Sequence, residues 1–258
     1  MRRWQPLDWT GWERHGITHS SVSQINTWET APSLWVAEKL FDLKRPASPA
    51  MWRGICVEDI CTAVIGHGQD FKSALKNGLK KFDKQFIFDA ENAAKERANI
   101  EPMAKRAIDE LAPFGQPEFN ESGKQKKVEI TCNGDGWKLP IIGFIDYDFP
   151  KEGLIVDLKT TLRAPSEMTA AHKRQRAFYQ KCSGNRVVKF LYITPKKAVW
   201  LEDGDVQDEL TLIKAHLNRQ EKFLSLGDKE LLASIVPVDP NHFFWRGSSN
   251  ERNAIFKI

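Results

Sequence analysis

LIVDLKTT, residues Leu154 to Thr161, decides how this chain is read. Three aliphatic residues run into an aspartate, and a lysine stands two positions later. In a strand, residues two apart share a face. Ile155, Asp157 and Lys159 then point one way, while Leu154, Val156 and Leu158 point the other way, into a core. An isolated buried charge is very costly, so the acid and the lysine must be solvated, paired or ligated. From these residues alone, a plain ion pair and a ligand site are equally open.

The preceding stretch GFIDYDF (143–149) brings further acids. Asp146 and Asp148 share one face of an expected strand, opposite Ile145, Tyr147 and Phe149. A hairpin across the PKEG turn lets carboxylates of both strands converge. Converging carboxylates repel one another unless a cation lies between them. Hard oxygen ligands of this kind suit Mg²⁺ or Mn²⁺. Such an ion makes a nucleophile of water and stabilises charge on phosphate oxygens. A neighbouring lysine positions or deprotonates that water, or holds the phosphate. Phosphodiester hydrolysis is the chemistry this set fits.

The remaining pattern sets these strands in a mixed α/β core with helical elaborations. An arm over residues 1–20 carries Trp4, Trp9 and Trp12, which either pack it onto the body or stack on bases. A mainly helical part covers 21–126. Within it, Ser21 or Ser23 caps a first helix and Pro32 breaks it. Met51, Ile55, Thr62 and Ile65 recur at helical spacing, and Gly78 and Pro102 are expected interruptions. Lysines 72, 76, 80, 81 and 84 crowd one helix, either as a solvated face or along a phosphate backbone. Residues 127–205 alternate and turn as strands, with a GDG turn at 134–136 and a helix that Ser166 caps and Gly184 ends. From 206 to 258 the chain is mostly helical again. The whole is expected to be a single domain.

The chain has 258 residues, net charge +4, 41% hydrophobic and 28% charged residues, so neither disorder nor a strongly basic nucleic-acid binder follows from composition. The start, MRRWQPLDW, has no apolar run, so neither a leader nor a membrane span is expected. Cysteines at 56, 61, 132 and 182 form no CxxC pair, which fits reduced thiols in a cytoplasm.

Five stretches in order resemble the PD-(D/E)XK nuclease superfamily, in its RecB-like and phage (lambda-type) exonuclease branch. SVSQINTWETAPSLWVAEKL resembles the opening helical segment, and RGICVEDI (53–60) the first motif. GFIDYDF resembles the Gly-x-x-Asp motif, LIVDLKTT the acid-x-Lys strand, and QRAFY (175–179) the Gln-x-x-x-Tyr helix. The resemblance spans roughly residues 21–194. It implies a restriction-endonuclease-like αβββαβ core and a Mg²⁺- or Mn²⁺-dependent deoxyribonuclease, with Glu58, Asp146 and Asp157 as metal ligands and Lys159 as the catalytic lysine. Asp146 is preferred to Asp148. Gln175 and Tyr179, one helical turn apart, are implied near the site. Arg53, His172, Lys173, Arg174, Lys196 and Lys197 are candidate DNA contacts. His172 also reads as an ordinary surface histidine.

An iron–sulfur cluster is not expected, because Ala31 stands where related chains have their first cysteine and no cysteine follows Cys182. The implied partner is DNA, single- or double-stranded. A single-strand annealing or recombination protein and a homo-oligomer fit the same resemblance, with a bacterial host cytoplasm as the location if the chain is phage-encoded. Two other readings stand beside the exonuclease: a structure- or site-specific endonuclease on the same fold, and a non-catalytic binding protein that kept the fold.

Overall fold

The computed structural model describes residues 10–86, 92–123, 125–130, 139–184 and 186–258. Trp4, Trp9, Cys132, the turn at 134–136 and the end of the first expected strand lie outside the described residues. The fold is mixed α/β. Helices α1 (Gly11–Arg14), α2 (Val22–Thr30), α3 (Pro32–Leu40) and α4 (Pro49–Cys61) come first, and a π-helical turn over Thr62–Gly66 prolongs α4. Then come α5 (Phe71–Asp83), α6 (Ala93–Ala98) and α7 (Ile100–Leu111), followed by strands β1 (Lys126–Ile130), β2 (Ile141–Ile145), β3 (Tyr147–Phe149) and β4 (Leu154–Thr160). The chain continues through α8 (Ala170–Cys182), β5 (Val187–Ile193), β6 (Ala198–Leu201), α9 (Val206–Leu224), α10 (Lys229–Ile235) and α11 (Ser249–Phe256). Among the described residues, no helix is long and apolar enough to cross a membrane.

The chain divides into two compact units. One comprises residues 1–46, 129–143 and 206–258. In it, Trp12 and Trp28 meet Trp35 edge-on, and Trp28 also meets Phe223. Trp12 therefore packs the arm down, and the arm is not wholly irregular. It holds α1, whose first N–H groups are taken by the Glu221 carboxylate at 2.7 and 3.1 Å.

The other unit, residues 47–128 and 144–205, carries every candidate site residue. Its sheet runs β3-β4-β5-β6. β3 is antiparallel to β4, β4 is parallel to β5 across the α8 crossover, and β5 is antiparallel to β6. The parallel register sets Asp157 beside Phe190 and Lys159 beside Tyr192. One face buries Leu154, Val156, Leu158, Leu191 and Ile193 against Val57 and Ile60 of α4 and Met103 and Ala107 of α7. Each such side chain contributes roughly 1.5–3 kcal/mol by leaving water. The other face of β4 is covered as well at Ile155 and Asp157, and only towards Lys159 does it open.

Several local expectations are corrected. Gly78 does not interrupt α5: a Cβ there would lie 2.7 Å from Ile60, so the glycine lets α5 and α4 approach closely. Pro102 falls in the first turn of α7, where its missing N–H has no intrahelical partner to lose. Met51 and Ile55 are on the outside of α4, Met51 59% exposed; the buried stripe is Arg53, Cys56, Val57, Ile60 and Cys61. Thr169, not Ser166, caps α8. The long second strand is in fact two, β2 and β3, parted by a bend at Asp146.

Candidate active site

Helix α4, the bend before β3 and strand β4 bring Glu58, Asp146, Asp157 and Lys159 together. Asp157 lies mid-strand in β4 and is 1% exposed. Its Oδ1 faces the Lys159 ammonium at 2.5 Å, an ion pair without hydrogen-bond alignment. Its Oδ2 accepts from Gln175 Nε2 at 2.9 Å. The same Nε2 donates to Tyr179 Oη at 3.0 Å, and Tyr179 donates to the Phe144 carbonyl at 2.6 Å. Gln175 and Tyr179, a turn apart on α8, therefore tether the strand acid to the backbone just before Asp146.

At the bend, Asp146 Oδ2 accepts from the Leu158 N–H at 2.9 Å, directly beside Asp157. Its Oδ1 accepts from Gln125 Nε2 at 2.6 Å, and that nitrogen also donates to Glu58 Oε1 at 2.7 Å. One carboxamide thus spans the helix acid and the bend acid. Gln125 does not stand out in the sequence, because an uncharged residue just ahead of a strand carries no signal in periodicity or charge.

Asp148 is not a second candidate. It is 3% exposed and held by Arg186 at 2.6 and 3.2 Å and by Lys126 at 2.8 Å. Burial alone would raise its carboxyl, but these cations outweigh that and hold it below the usual range. The bend sends the two acids to different partners: Gln125 and Lys126, adjacent in the chain, serve Asp146 and Asp148 respectively.

Electrostatics set the three site acids apart. Glu58 is pushed up to about 7 by burial and then by Asp157 and Asp59. Asp146 is raised well above the carboxylate range by burial, Asp157 and Glu58. Asp157 is also raised by burial, with Lys159 opposing. Burial works against the charge on Lys159, but Asp157 and Asp146 more than offset it, so the lysine is raised. Three carboxyls crowded beside one lysine thus hold their protons more tightly than free carboxyls do.

The Arg-Gly pair of the first motif has a mechanical task. Arg53 is 4% exposed, ion-paired with Glu96, and donates to the Thr160 carbonyl at 3.2 Å. A Cβ on Gly54 would sit 3.2 Å from Thr160 Oγ1. Both residues seat α4 against the end of β4, which fixes Glu58 relative to Asp157. Arg53 is therefore not a DNA contact. Neither is Arg174, which is 2% exposed on the inner side of α8. Lys173 is drawn to Asp203 at 3.1 Å. His172 is half-buried rather than a surface residue: its Nδ1 is 2.6 Å from Tyr192 Oη, and burial, then Lys159, push it down to about 4. It is neutral at neutral pH and offers a phosphate no charge. Lys196 and Lys197 remain exposed in the turn between β5 and β6.

No protein-family model matches this chain. No curated protein matches it either. A solved structure titled "Crystal structure of SSO0001" is similar over 64% of this chain and 75% of that one, at 16% identity and a TM-score of 0.36. At that score the likeness carries no argument about this chain.

The donor set fits a hard divalent cation. Glu58, Asp146 and Asp157 offer oxygens only, and the burial that raises all three carboxyls, together with the repulsion added at Glu58 and Asp146, is what such an ion relieves. Among the described residues, no three ligating groups lie at metal-binding distance of a common point, and the acids are held instead by Gln125, Gln175 and Lys159.

Proposed function

We propose that this chain is a divalent-metal-dependent deoxyribonuclease of the PD-(D/E)XK kind, a phage-type exonuclease acting in recombination, repair or DNA degradation in a bacterial cytoplasm. The observation that carries the reading is the convergence of three carboxyls beside one lysine: Gln125 bridges Glu58 and Asp146, the Leu158 N–H holds Asp146 beside Asp157, and Asp157 faces Lys159. Those acids would hold Mg²⁺ or Mn²⁺, which when bound supplies an activated water and offsets charge growing on the scissile phosphate.

The protein's own groups divide the remaining work. Lys159, kept protonated by its acidic neighbours, supports a non-bridging phosphate oxygen as a cation. Gln175 fixes the Asp157 carboxylate by holding Oδ2, which leaves Oδ1 turned towards the lysine. Tyr179 holds Gln175 in turn, and the Leu158 N–H fixes Asp146. The site acids thus stand on rigid elements with their orientation set by neighbours, as catalytic ligands require.

End-labelled linear DNA and covalently closed circles, each incubated with and without Mg²⁺, test the proposal. The expected result is metal-dependent release from linear ends, abolished in Asp157→Ala and Lys159→Ala. Undiminished cleavage by purified Asp157→Ala protein would overturn it, and cleaved circles would replace the exonuclease by an endonuclease.

A further inference from the structure

Helix α5 presents a feature that the site does not use. Lys72, Lys76, Lys80 and Lys84 follow one another at four-residue spacing, and all are exposed. Together they rim a groove of about 670 Å³ floored by Leu75 and Leu79. Each step rises about 6 Å, so the row is about 18 Å long. Like charges four apart destabilise a helix by roughly 0.2–0.5 kcal/mol per pair, and a merely solvated face ordinarily intersperses both signs. Asp83, the one acid among the described residues that line the groove, is gripped by Arg97 at 2.6 and 2.9 Å. Among the described residues, no acid pairs with Lys76, Lys80 or Lys84.

The row lies on the face of α5 opposite the buried Ala74, Gly78 and Phe82, and it is that buried face that seats the helix on α4. Lys81, off the row, is ion-paired with Asp59, the neighbour of Glu58. Gly78 brings α5 into close contact with Ile60, two residues beyond Glu58. A ligand along the row therefore lies at a fixed offset from the helix that carries the first site acid.

We infer that the α5 lysine row is a binding track for the sugar–phosphate backbone of duplex DNA; this rests on the nuclease reading above. A regular line of exposed cations meets a polyanion without reading its sequence. Among the described residues no ring lines the groove, so none of them offers a platform for stacking the bases of a single strand. A lipid surface fits less well, because none of the exposed large apolar side chains belongs to α5.

The test is a K72Q/K76Q/K80Q/K84Q variant, since glutamine keeps helix propensity while removing charge. Binding of a short fluorescein-labelled duplex is followed by anisotropy in EDTA over a salt series, with circular dichroism to verify folding. The expected result is weaker binding and a salt slope shallower by about 0.9 for each phosphate left without its lysine, about 2–4 in all. A folded variant with unchanged affinity and slope overturns the inference. So does a variant that loses binding to phosphatidylserine vesicles while keeping that to duplex. Binding is read without catalysis, so the two readings fail separately. A wild-type protein that cuts no DNA yet shows the slope change sinks the nuclease alone, and an active protein with an unchanged slope sinks the track alone.

Discussion

Gln175 donates through Nε2 to Oδ2 of Asp157 at 2.9 Å, and this bond, with the Lys159 ammonium at Oδ1, orients the central acid. The carboxylate is buried on a strand, where an unoriented charge would be costly. Because the same nitrogen meets Tyr179, and Tyr179 meets the Phe144 carbonyl, α8 is latched both to β4 and to the chain entering the Asp146 bend. The Gln-x-x-x-Tyr spacing is thus explained by geometry: one helical turn delivers two linked groups to two neighbouring strands.

Gln175→Leu is expected to lower single-turnover DNA cleavage about 10–100-fold, the usual cost of losing a group that orients a ligand. DNA affinity without metal should hardly change. Tyr179→Phe keeps the ring and loses about 0.5–1.5 kcal/mol with its hydroxyl bonds. Its cleavage rate should fall less than that of Gln175→Leu. Equal activity in Gln175→Leu and wild type would remove the orienting role.

The crowded acids make stability depend on pH. Glu58 is raised to about 7 in the fold, and Asp146 and Asp157 are raised too. A raised carboxyl holds its proton in the folded state where the unfolded chain has already lost it. Its contribution is therefore complete at acid pH, below the unfolded value, and is lost as pH climbs through the folded one. The metal-free protein should melt at falling temperature between about pH 4.5 and 7, and Glu58→Gln should flatten that decline. Mn²⁺ should raise the melting temperature more at about pH 8 than at about pH 5, since a ligand must shed its proton. A metal-induced shift independent of pH would contradict the assignment of these acids.

How far the sequence reaches depends on what each residue's signal is. Asp157 and Lys159 are legible because period two in a strand assigns faces without further knowledge, and the structure keeps those faces. The helix-period stripe on α4 misleads. Met51 and Ile55 recur correctly, yet the tertiary contacts bury Cys56, Val57 and Ile60 instead. Asp146 and Asp148 look equivalent because alternation assumes an unbroken strand, and nothing local announces the bend between them. Gln125 and the Arg53–Thr160 contact join residues far apart in the chain, so only the assembled unit reveals them.

Gly78 gives a packing test of how α4 is seated. Alanine there would gain roughly 0.5–1 kcal/mol in helix propensity. Its Cβ, however, would meet Cδ1 and Cγ1 of Ile60 at 2.7 Å, and Ile60 is fully buried. Overpacking of about 1–3 kcal/mol outweighs the gain, so Gly78→Ala should lower stability. Ile60→Ala should lower it too, but the double variant should be more stable than the sum predicts, by an interaction within about 0.5–3 kcal/mol. Additive denaturant midpoints would show that the two helices do not touch there.

Arg53 separates a structural role from DNA contact. Its guanidinium is buried with Glu96 and caps the Thr160 carbonyl, so removing it strands a buried carboxylate and leaves that carbonyl without its donor. Breaking such a pair costs about 3–5 kcal/mol, which in a chain of this size lowers the melting temperature by roughly 10 °C. Arg53→Lys should recover little, because one ammonium cannot reach Glu96 and Thr160 with the fixed fork of a guanidinium. Arg53→Ala combined with Glu96→Gln should recover part of the loss by removing the stranded charge. Below its melting temperature, Arg53→Ala should bind duplex DNA with an unaltered salt slope, because a residue 4% exposed releases no counterion. A shallower slope in that folded variant, with an unchanged melting temperature, would return Arg53 to the DNA surface and detach α4 from the end of β4.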